Sequence, residues 1–521
     1  MTNVCIMISI VAYLLLVLGI GVWFSKRNKT TDDFYLGGRK LGPFVTAMSA
    51  EASDMSSYLL MGVPGVAFLT GFADAAWTAI GLIIGTYVNW LIVAKKIRRY
   101  SSHIGATTIP AFFSERFKDK SRILSIIAAV VIIVFFVPYT ASGFAACGKL
   151  FNSLFGVDYF TAMVVCAAVI IIYTMLGGFL AASTSDFIQS IVMTIALIIV
   201  LGYGIIHAGG VANVVENAKS LSGYLSWTAI HVDGKASGYG FLTICSTLAW
   251  GLGYFGMPHI LLRFMAIENV KKLTLSRRVA SIWVLISLGV AVLIGIIGRG
   301  MMLNGLELPG TVANGNILDS ERILISIAML ISRHGAITAI IAGVILAGIL
   351  AATMSTADSQ LLAASSSVSQ NIIKEKLAKN ISEKTTMIIA RVTLVVIAIV
   401  GVILAKNPNS NVFNIVSFAW AGFGAAFGPV VLFALFWKRT TKWGALAGMV
   451  SGGAMVFIWK FIVRPIGAAA SNATVGGMLN IYELLPAFIV AAIAIVVVSL
   501  ATPAPGKDII DEFEAVKAMK D

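Results

Sequence analysis

Thirteen apolar runs, each close to the length of a bilayer-crossing helix, constrain this chain more than any other feature. They lie near residues 4–24, 43–63, 73–94, 123–147, 158–176, 186–207, 238–257, 279–298, 335–364, 386–405, 412–437, 442–463 and 480–501. A spanning helix needs about 20 apolar residues, and in hydrocarbon the backbone must satisfy its own hydrogen bonds. The 521 residues therefore read as an all-α integral membrane protein of about 13 transmembrane helices, with no room for a sizeable aqueous domain. Only 12% of positions are charged, about half the share in a soluble domain. The excess of 38 Lys+Arg over 24 Asp+Glu sits in short connections, as the positive-inside rule produces, which argues against a nucleic-acid partner. Cys5, Cys147, Cys166 and Cys245 lie in or beside apolar runs without metal-ligand spacing, so they read as small buried hydrophobes.

An odd number of spans puts the termini on opposite sides, and charge chooses the side. Residues 25–42 carry Lys26, Arg27, Lys29, Arg39 and Lys40; residues 95–121 carry seven Lys/Arg; residues 258–278 carry Arg263, Lys271, Lys272, Arg277 and Arg278. The alternate connections, 64–72 and 208–237, are poor in charge. The N-terminus is therefore expected outside and the tail 506–521 in the cytoplasm as a short surface helix. The first run has neither a basic n-region nor a small-residue cleavage site, so it is expected to be retained.

Two spans are interrupted at mid-depth. The second reads Phe44-Val-Thr-Ala-Met-Ser-Ala-Glu-Ala-Ser-Asp-Met-Ser-Ser-Tyr-Leu-Leu-Met-Gly62, and the seventh reads Thr247-Leu-Ala-Trp-Gly-Leu-Gly-Tyr-Phe-Gly-Met-Pro-His259. They are five spans apart, the pattern expected of an inverted-repeat secondary transporter whose sites lie where the helices unwind. Close packing of Gly-rich helices would account for Gly251, Gly253 and Gly256, but not for a carboxylate in the second span.

That carboxylate is Asp54, about eleven residues into its run, where a charge costs about 2.5–3.5 kcal/mol even on the lenient insertion scale. It must face a cavity or a cation. Glu51 lies three residues earlier, on the same face of a continuous helix. In the ninth span Ser355, Thr356 and Ser359 place hydroxyls one turn apart, with Asp358 among them; oxygen ligands of this kind suit a hard monovalent cation. Asp186 opens the sixth span, where it could cap the helix or reach the same ion route. Tyr58, Tyr139, Trp250 and Tyr254 could wall a small apolar ring, with Trp250 and Tyr254 on one face at i, i+4.

The segments Leu36-Gly-Gly-Arg-Lys-Leu-Gly-Pro43, Ala52-Ser-Asp-Met-Ser56, Gly251-Leu-Gly-Tyr-Phe-Gly256, Pro258-His-Ile-Leu-Leu-Arg263, Met354-Ser-Thr356 and Ala419-Trp-Ala-Gly-Phe-Gly-Ala-Ala-Phe-Gly-Pro429 resemble the sodium/solute symporter family, and within it the sodium/proline symporters, over nearly the whole chain. The resemblance implies a LeuT-type five-plus-five inverted repeat with broken second and seventh helices. Residues 1–42 would add an extra N-terminal helix and cytoplasmic loop, 43–437 would form the ten-helix core, 438–505 two further helices, and 506–521 the tail. It also implies a sodium site from the carbonyls of Ala52, Met55 and Ala352 with the hydroxyls of Ser355 and Thr356, and a role in sodium binding for Asp54. Tyr139, Trp250, Tyr254 and Pro258 match substrate or gate positions, while Asp186, Ser355, Asp358 and Ser359 fall where some relatives build a second sodium site.

The chain departs from the proline pattern at Glu51, Ser57 and Tyr58, where those symporters carry glycine, glycine and tryptophan, and these groups would adjoin the substrate. The expectation is a sodium-coupled symporter of a small amino acid, proline or a close analogue, working in the cell membrane without chemistry on its cargo and without an obligate protein partner. Its alternatives are another small amino acid or organic solute, proton coupling through Glu51, or a transporter-like membrane sensor, which the short tail disfavours.

Overall fold

The computed structural model describes residues 2–26, 30–313, 315–377, 381–407, 411–470 and 473–519; Arg27 and Lys29 lie outside the described residues. Among the described residues, ten helices are long and apolar enough to cross a bilayer. One of these, Tyr159–His207, has 49 residues and covers both the fifth and the sixth expected spans. At 1.5 Å per residue it measures about 73 Å, more than twice the thickness of the hydrocarbon core. Counted as two passes, and with the broken second and seventh spans added, the set is compatible with thirteen. The expected loop between spans five and six is absent: the helix runs through it and breaks at one residue, Gly178, at φ 59°, ψ −160°. Glycine alone enters that region at little cost.

Each interruption of the second and seventh spans has a local cause. The second span starts as a helix over Pro43–Ser57, with Ser56 at φ 42°, ψ −169°. A wide π-type turn follows over Tyr58–Gly62, and a second segment, Val63–Thr70, carries Pro64 at its start. Proline cannot donate to the carbonyl four residues back, and the wide turn ahead of it absorbs the mismatch. In the seventh span the α-helix Phe241–Leu248 tightens to 3₁₀ geometry over Ala249–Gly256. Met257 is extended, as the residue before proline prefers, and Pro258 begins the next helix, Pro258–Ala266, a position where its missing N–H costs nothing. A Cβ on Gly251 would lie 2.2 Å from the carbonyl oxygen of Gly81, so only glycine lets this thin segment lie against the third span, Phe72–His103.

Both breaks lie in the buried interior against the eleventh span, Val412–Phe436, and the second lies also against the ninth, Ala336–Ser366. The connection 208–237 carries structure of its own: a helix Gly210–Ser220 and an antiparallel hairpin, Ala229–Val232 with Lys235–Gly238. Asp233 and Gly234 turn that hairpin with φ of 48° and 78°, the Asp-Gly signal of a two-residue turn. The tail forms the expected helix, Lys507–Ala518. It is docked, with Phe513 and Val516 buried and the Arg116 guanidinium 5.1 Å from the Phe513 ring. Lys118 pairs with Asp508 at 3.1 Å and with Glu512 at 3.5 Å, and the hydrogen bond from Lys118 holds the Asp508 carboxyl below its ordinary value.

Candidate functional site

Unwinding at Ser56 frees part of the second span from the helical ladder, and side chains from four other spans meet it there. Ser355 Oγ donates to the carbonyls of Ala52 at 2.8 Å and Ala352 at 3.1 Å. Thr356 Oγ1 donates to the same Ala352 carbonyl at 3.2 Å. The expected sodium ligands Ala52, Ala352, Ser355 and Thr356 are thus one contiguous set of oxygens. The Met55 carbonyl sits at the break itself, where it accepts the Tyr58 N–H.

Asp54 turns to the other side of this set. Its Oδ2 accepts from the Tyr254 hydroxyl at 2.6 Å, and its backbone carbonyl accepts from the Tyr139 hydroxyl at 3.2 Å. Asp54 Oδ1, Ser57 Oγ and Tyr58 Oη are buried without a hydrogen-bond partner. Such orphaned polar atoms in an apolar interior are costly, and they cluster where the helix breaks. The second break is therefore tied to the seventh by the Asp54 carboxylate and the Tyr254 phenol, and to the fourth span by the Tyr139 phenol.

An aromatic stack adjoins them. Tyr58 lies on Trp250 with ring centroids 5.3 Å apart, and Trp250 lies on Tyr482 at 5.0 Å with an interplanar angle of 19°. Phe413 closes on both Tyr58 and Trp250 at 5.5 Å. Trp420 donates from Nε1 to the Trp250 carbonyl at 2.7 Å and packs edge-on against Tyr254. Trp250 and Tyr254 do not share a face as a continuous α-helix would place them. In 3₁₀ geometry four residues turn the chain to about 120° apart rather than about 40°, so Trp250 joins the stack while Tyr254 reaches Asp54. Pro258 contributes by starting the helix after the break.

Glu51 and Asp54 also part company, although three residues separate them. Glu51 Oε1 accepts from Trp90 Nε1 at 2.8 Å and from Thr86 Oγ1 at 3.1 Å. The carboxylate anchors the second span to the third.

A second polar cluster lies deeper along the ninth span. Asp186 Oδ2 accepts from Ser49 Oγ at 2.6 Å and from Arg263 Nη2 at 3.1 Å. It caps no helix start, because the helix carrying it is unbroken there. Asp358 accepts from Tyr173 and from Ser359, while Ser355 belongs to the first set. Arg263, expected in a cytoplasmic connection, is 1% exposed and sits inside this cluster. Its flanks, His-Ile-Leu-Leu before and Phe-Met-Ala after, are apolar, and that run was the available signal. Phe413 and Tyr482 were equally unmarked, since aromatic residues near span ends read as an interfacial belt.

Beyond the stack, Lys149 is buried against Glu321 at 2.9 Å and Asp319 at 3.3 Å. Glu321 also accepts the backbone N–H groups of Val412 at 3.2 Å and Phe413 at 3.0 Å. A carboxylate there meets the free donors and the positive end of the eleventh span.

Two helices broken at corresponding places, with oxygens and aromatic rings gathered at the breaks, define a multi-pass membrane transporter. The sodium:solute symporter family model matches residues 34–452, and the chain belongs to that family. It is 44% identical to the sodium/proline symporter of Escherichia coli (strain K12) over 492 residues, covering 94% of this chain and 91% of that one. It is 42% identical to the sodium/proline symporter of Salmonella typhimurium over 505 residues, covering 97% and 94%. Its fold matches that of a Na+-coupled sialic acid symporter solved in a substrate-bound outward-open state, with a TM-score of 0.76 and 19% identity over 97% of this chain and 99% of that one.

Proposed function

We propose that the protein is a sodium-coupled symporter importing proline or a close analogue across the cell membrane, with no chemistry on its cargo. The observation that carries this reading is the set formed by Ser355, Thr356 and the carbonyls of Ala52 and Ala352, lying against the break that also presents Asp54. Hydroxyl and carbonyl oxygens hold a hard monovalent cation with little added charge, and broken helices supply such oxygens at mid-membrane. The sodium ion sits among Ala52, Met55, Ala352, Ser355 and Thr356. Asp54 couples that site to the substrate through Tyr254 and Tyr139.

The substrate lies against Ser57, Tyr58, Tyr139, Trp250 and Tyr254. A proline ring suits flat aromatic walls, and its ammonium and carboxylate suit the orphaned oxygens of Asp54, Ser57 and Tyr58. Pro258 fixes the turn that aims the Tyr254 segment. The names of relatives at 42–44% identity over nearly the whole chain support proline. Glu51 acts as an anchor to the third span, because both its partners, Thr86 and Trp90, are structural; this disfavours proton coupling through it. Residues 43–437 form the transport core, flanked by 1–42, 438–505 and the tail 506–521, with the N-terminus outside and the tail in the cytoplasm.

The test is uptake of labelled proline into proteoliposomes with and without an inward sodium gradient, competed by a panel of amino and organic acids. Accumulation that needs sodium and yields first to proline supports the reading. Sodium-independent uptake, or better competition by another solute, replaces it.

A further inference from the structure

Outside the candidate site, two of the five histidines meet at the ends of two spans, on the outer side in the proposed orientation. His207 is the last residue of the helix Tyr159–His207. His334 closes the 3₁₀ turn Ser332–His334, just before the ninth span begins at Ala336. Their ring centroids are 6.0 Å apart with an interplanar angle of 44°. Tyr203, one turn before His207, touches both. Its ring stacks on His207 with centroids 3.7 Å apart, and its hydroxyl lies 3.2 Å from His334 Nε2 across 131 positions of sequence. His207 Nδ1 lies 3.0 Å from the Tyr203 carbonyl. A carbonyl can only accept, so the proton sits on Nδ1 and the Nε2 lone pair is free. That is the tautomer a metal ligand needs, with the backbone support that ligating histidines commonly have.

The geometry points to a binding site for a divalent transition-metal ion of the zinc class, held by His207, His334 and Tyr203. Two imidazoles on one tetrahedral zinc ion, each bound at about 2.0–2.1 Å, have ring centroids about 5 Å apart, and the observed pair is within about 1 Å of that spacing. Two ligand atoms of such an ion lie about 3.3 Å from one another, close to the 3.2 Å between the Tyr203 oxygen and His334 Nε2. The ion would take the place of the proton in that bond. The phenol becomes a phenolate ligand, its proton leaves to water, and a water molecule completes the fourth position. Imidazole and phenolate donors suit Zn2+, Ni2+ or Cu2+ rather than Mg2+ or sodium. The free carbonyls of the last helical turn also place the negative end of the helix beside His207. Arg333, exposed beside His334, carries like charge, so binding is expected in the micromolar range. A bound ion would staple the outer end of the sixth span to the start of the ninth. The site stands apart from the sodium and substrate assignments and does not depend on them.

The test is calorimetric titration of Zn2+ into the purified full-length protein, freed of any histidine tag. One Zn2+ per chain is expected, with release of about one proton, read from the dependence of the heat on buffer ionisation, and with a rise in the thermal unfolding temperature. Mg2+ at the same concentration should give neither heat nor stabilisation. Co2+ in its place should show the visible absorption of a tetrahedral site. His207→Gln and His334→Gln should each weaken Zn2+ binding about tenfold or more and remove the stabilisation. Tyr203→Phe keeps the stack and should abolish the proton release. No saturable Zn2+ binding to the parent protein overturns the proposal, as does binding that survives in both histidine variants. Proton release unchanged in Tyr203→Phe removes the phenol from the ligand set. Should one histidine variant fail to fold, the other decides.

Discussion

Single oxygens decide what this interior can hold. Thr356 Oγ1 is one of two hydroxyls on the Ala352 carbonyl, and Thr356→Val keeps its shape while deleting the oxygen. The sodium concentration for half-maximal uptake should rise about tenfold, equivalent to about 1.4 kcal/mol; an unchanged sodium dependence would remove Thr356 from the site. Trp250 stacks on Tyr58 and Tyr482 but makes no side-chain bond to the oxygen set. Trp250→Ala should therefore weaken substrate binding by about 2 kcal/mol, roughly thirtyfold, while substrate-free sodium binding stays near the parent value. Loss of sodium binding instead would mark the ring as packing. Glu51→Gln preserves shape and weakens a charge-assisted bond from the Trp90 indole, so it should lower thermal stability in detergent by about 1 kcal/mol and leave the sodium and pH dependence of uptake as they were. A flattened pH profile would return Glu51 to the coupling mechanism.

Between elements, Glu321 links the connection before the ninth span to the aromatic stack. One carboxylate meets the buried Lys149 ammonium and caps the eleventh span beside Phe413, and Phe413 lies on Tyr58 and Trp250. Removing one partner of a buried ion pair leaves the other uncompensated, a cost of about 3–5 kcal/mol. Asp319 remains 3.3 Å from Lys149, so Glu321→Gln is expected to cost about 3 kcal/mol, the low end of that range. Thermal unfolding of the purified variant measures this, and no loss of stability would show that the pair is solvated in the working protein. Glycine acts at the same scale: Gly251 against Gly81 fixes how closely the seventh span approaches the third, and hence where Tyr254 meets Asp54.

For the molecule as a whole, the basic connections 25–42, 95–121 and 258–278 and the charge-poor 64–72 and 208–237 support the proposed orientation, N-terminus outside and tail inside. In a background without its four cysteines, Asp233→Cys in the hairpin should react with a membrane-impermeant maleimide on intact cells, and Asp511→Cys in the tail helix only after permeabilisation. The reverse pattern would invert the topology and place the Lys118, Asp508 and Glu512 contacts outside.

The sequence alone determined that this chain spans a membrane repeatedly, where most of its spans lie, and that the second and seventh break, though not that the fifth and sixth run on as one helix bent at Gly178. Those properties follow from residues close together: summed hydropathy over about 20 positions, Pro64 and Pro258 without a donor, and a carboxylate at mid-depth. The family was legible for the same reason, being carried by contiguous segments. Partner choice was decided only in three dimensions. Ser355 meets Ala52 across 303 positions, Tyr254 meets Asp54 across 200, and Arg263 meets Asp186 across 77. Such pairings depend on how each helix is rotated and how closely it packs, which hydropathy does not encode. Two residues three apart, Glu51 and Asp54, thus receive different partners, and an arginine that charge counting assigns to a loop sits in a polar cluster in the interior.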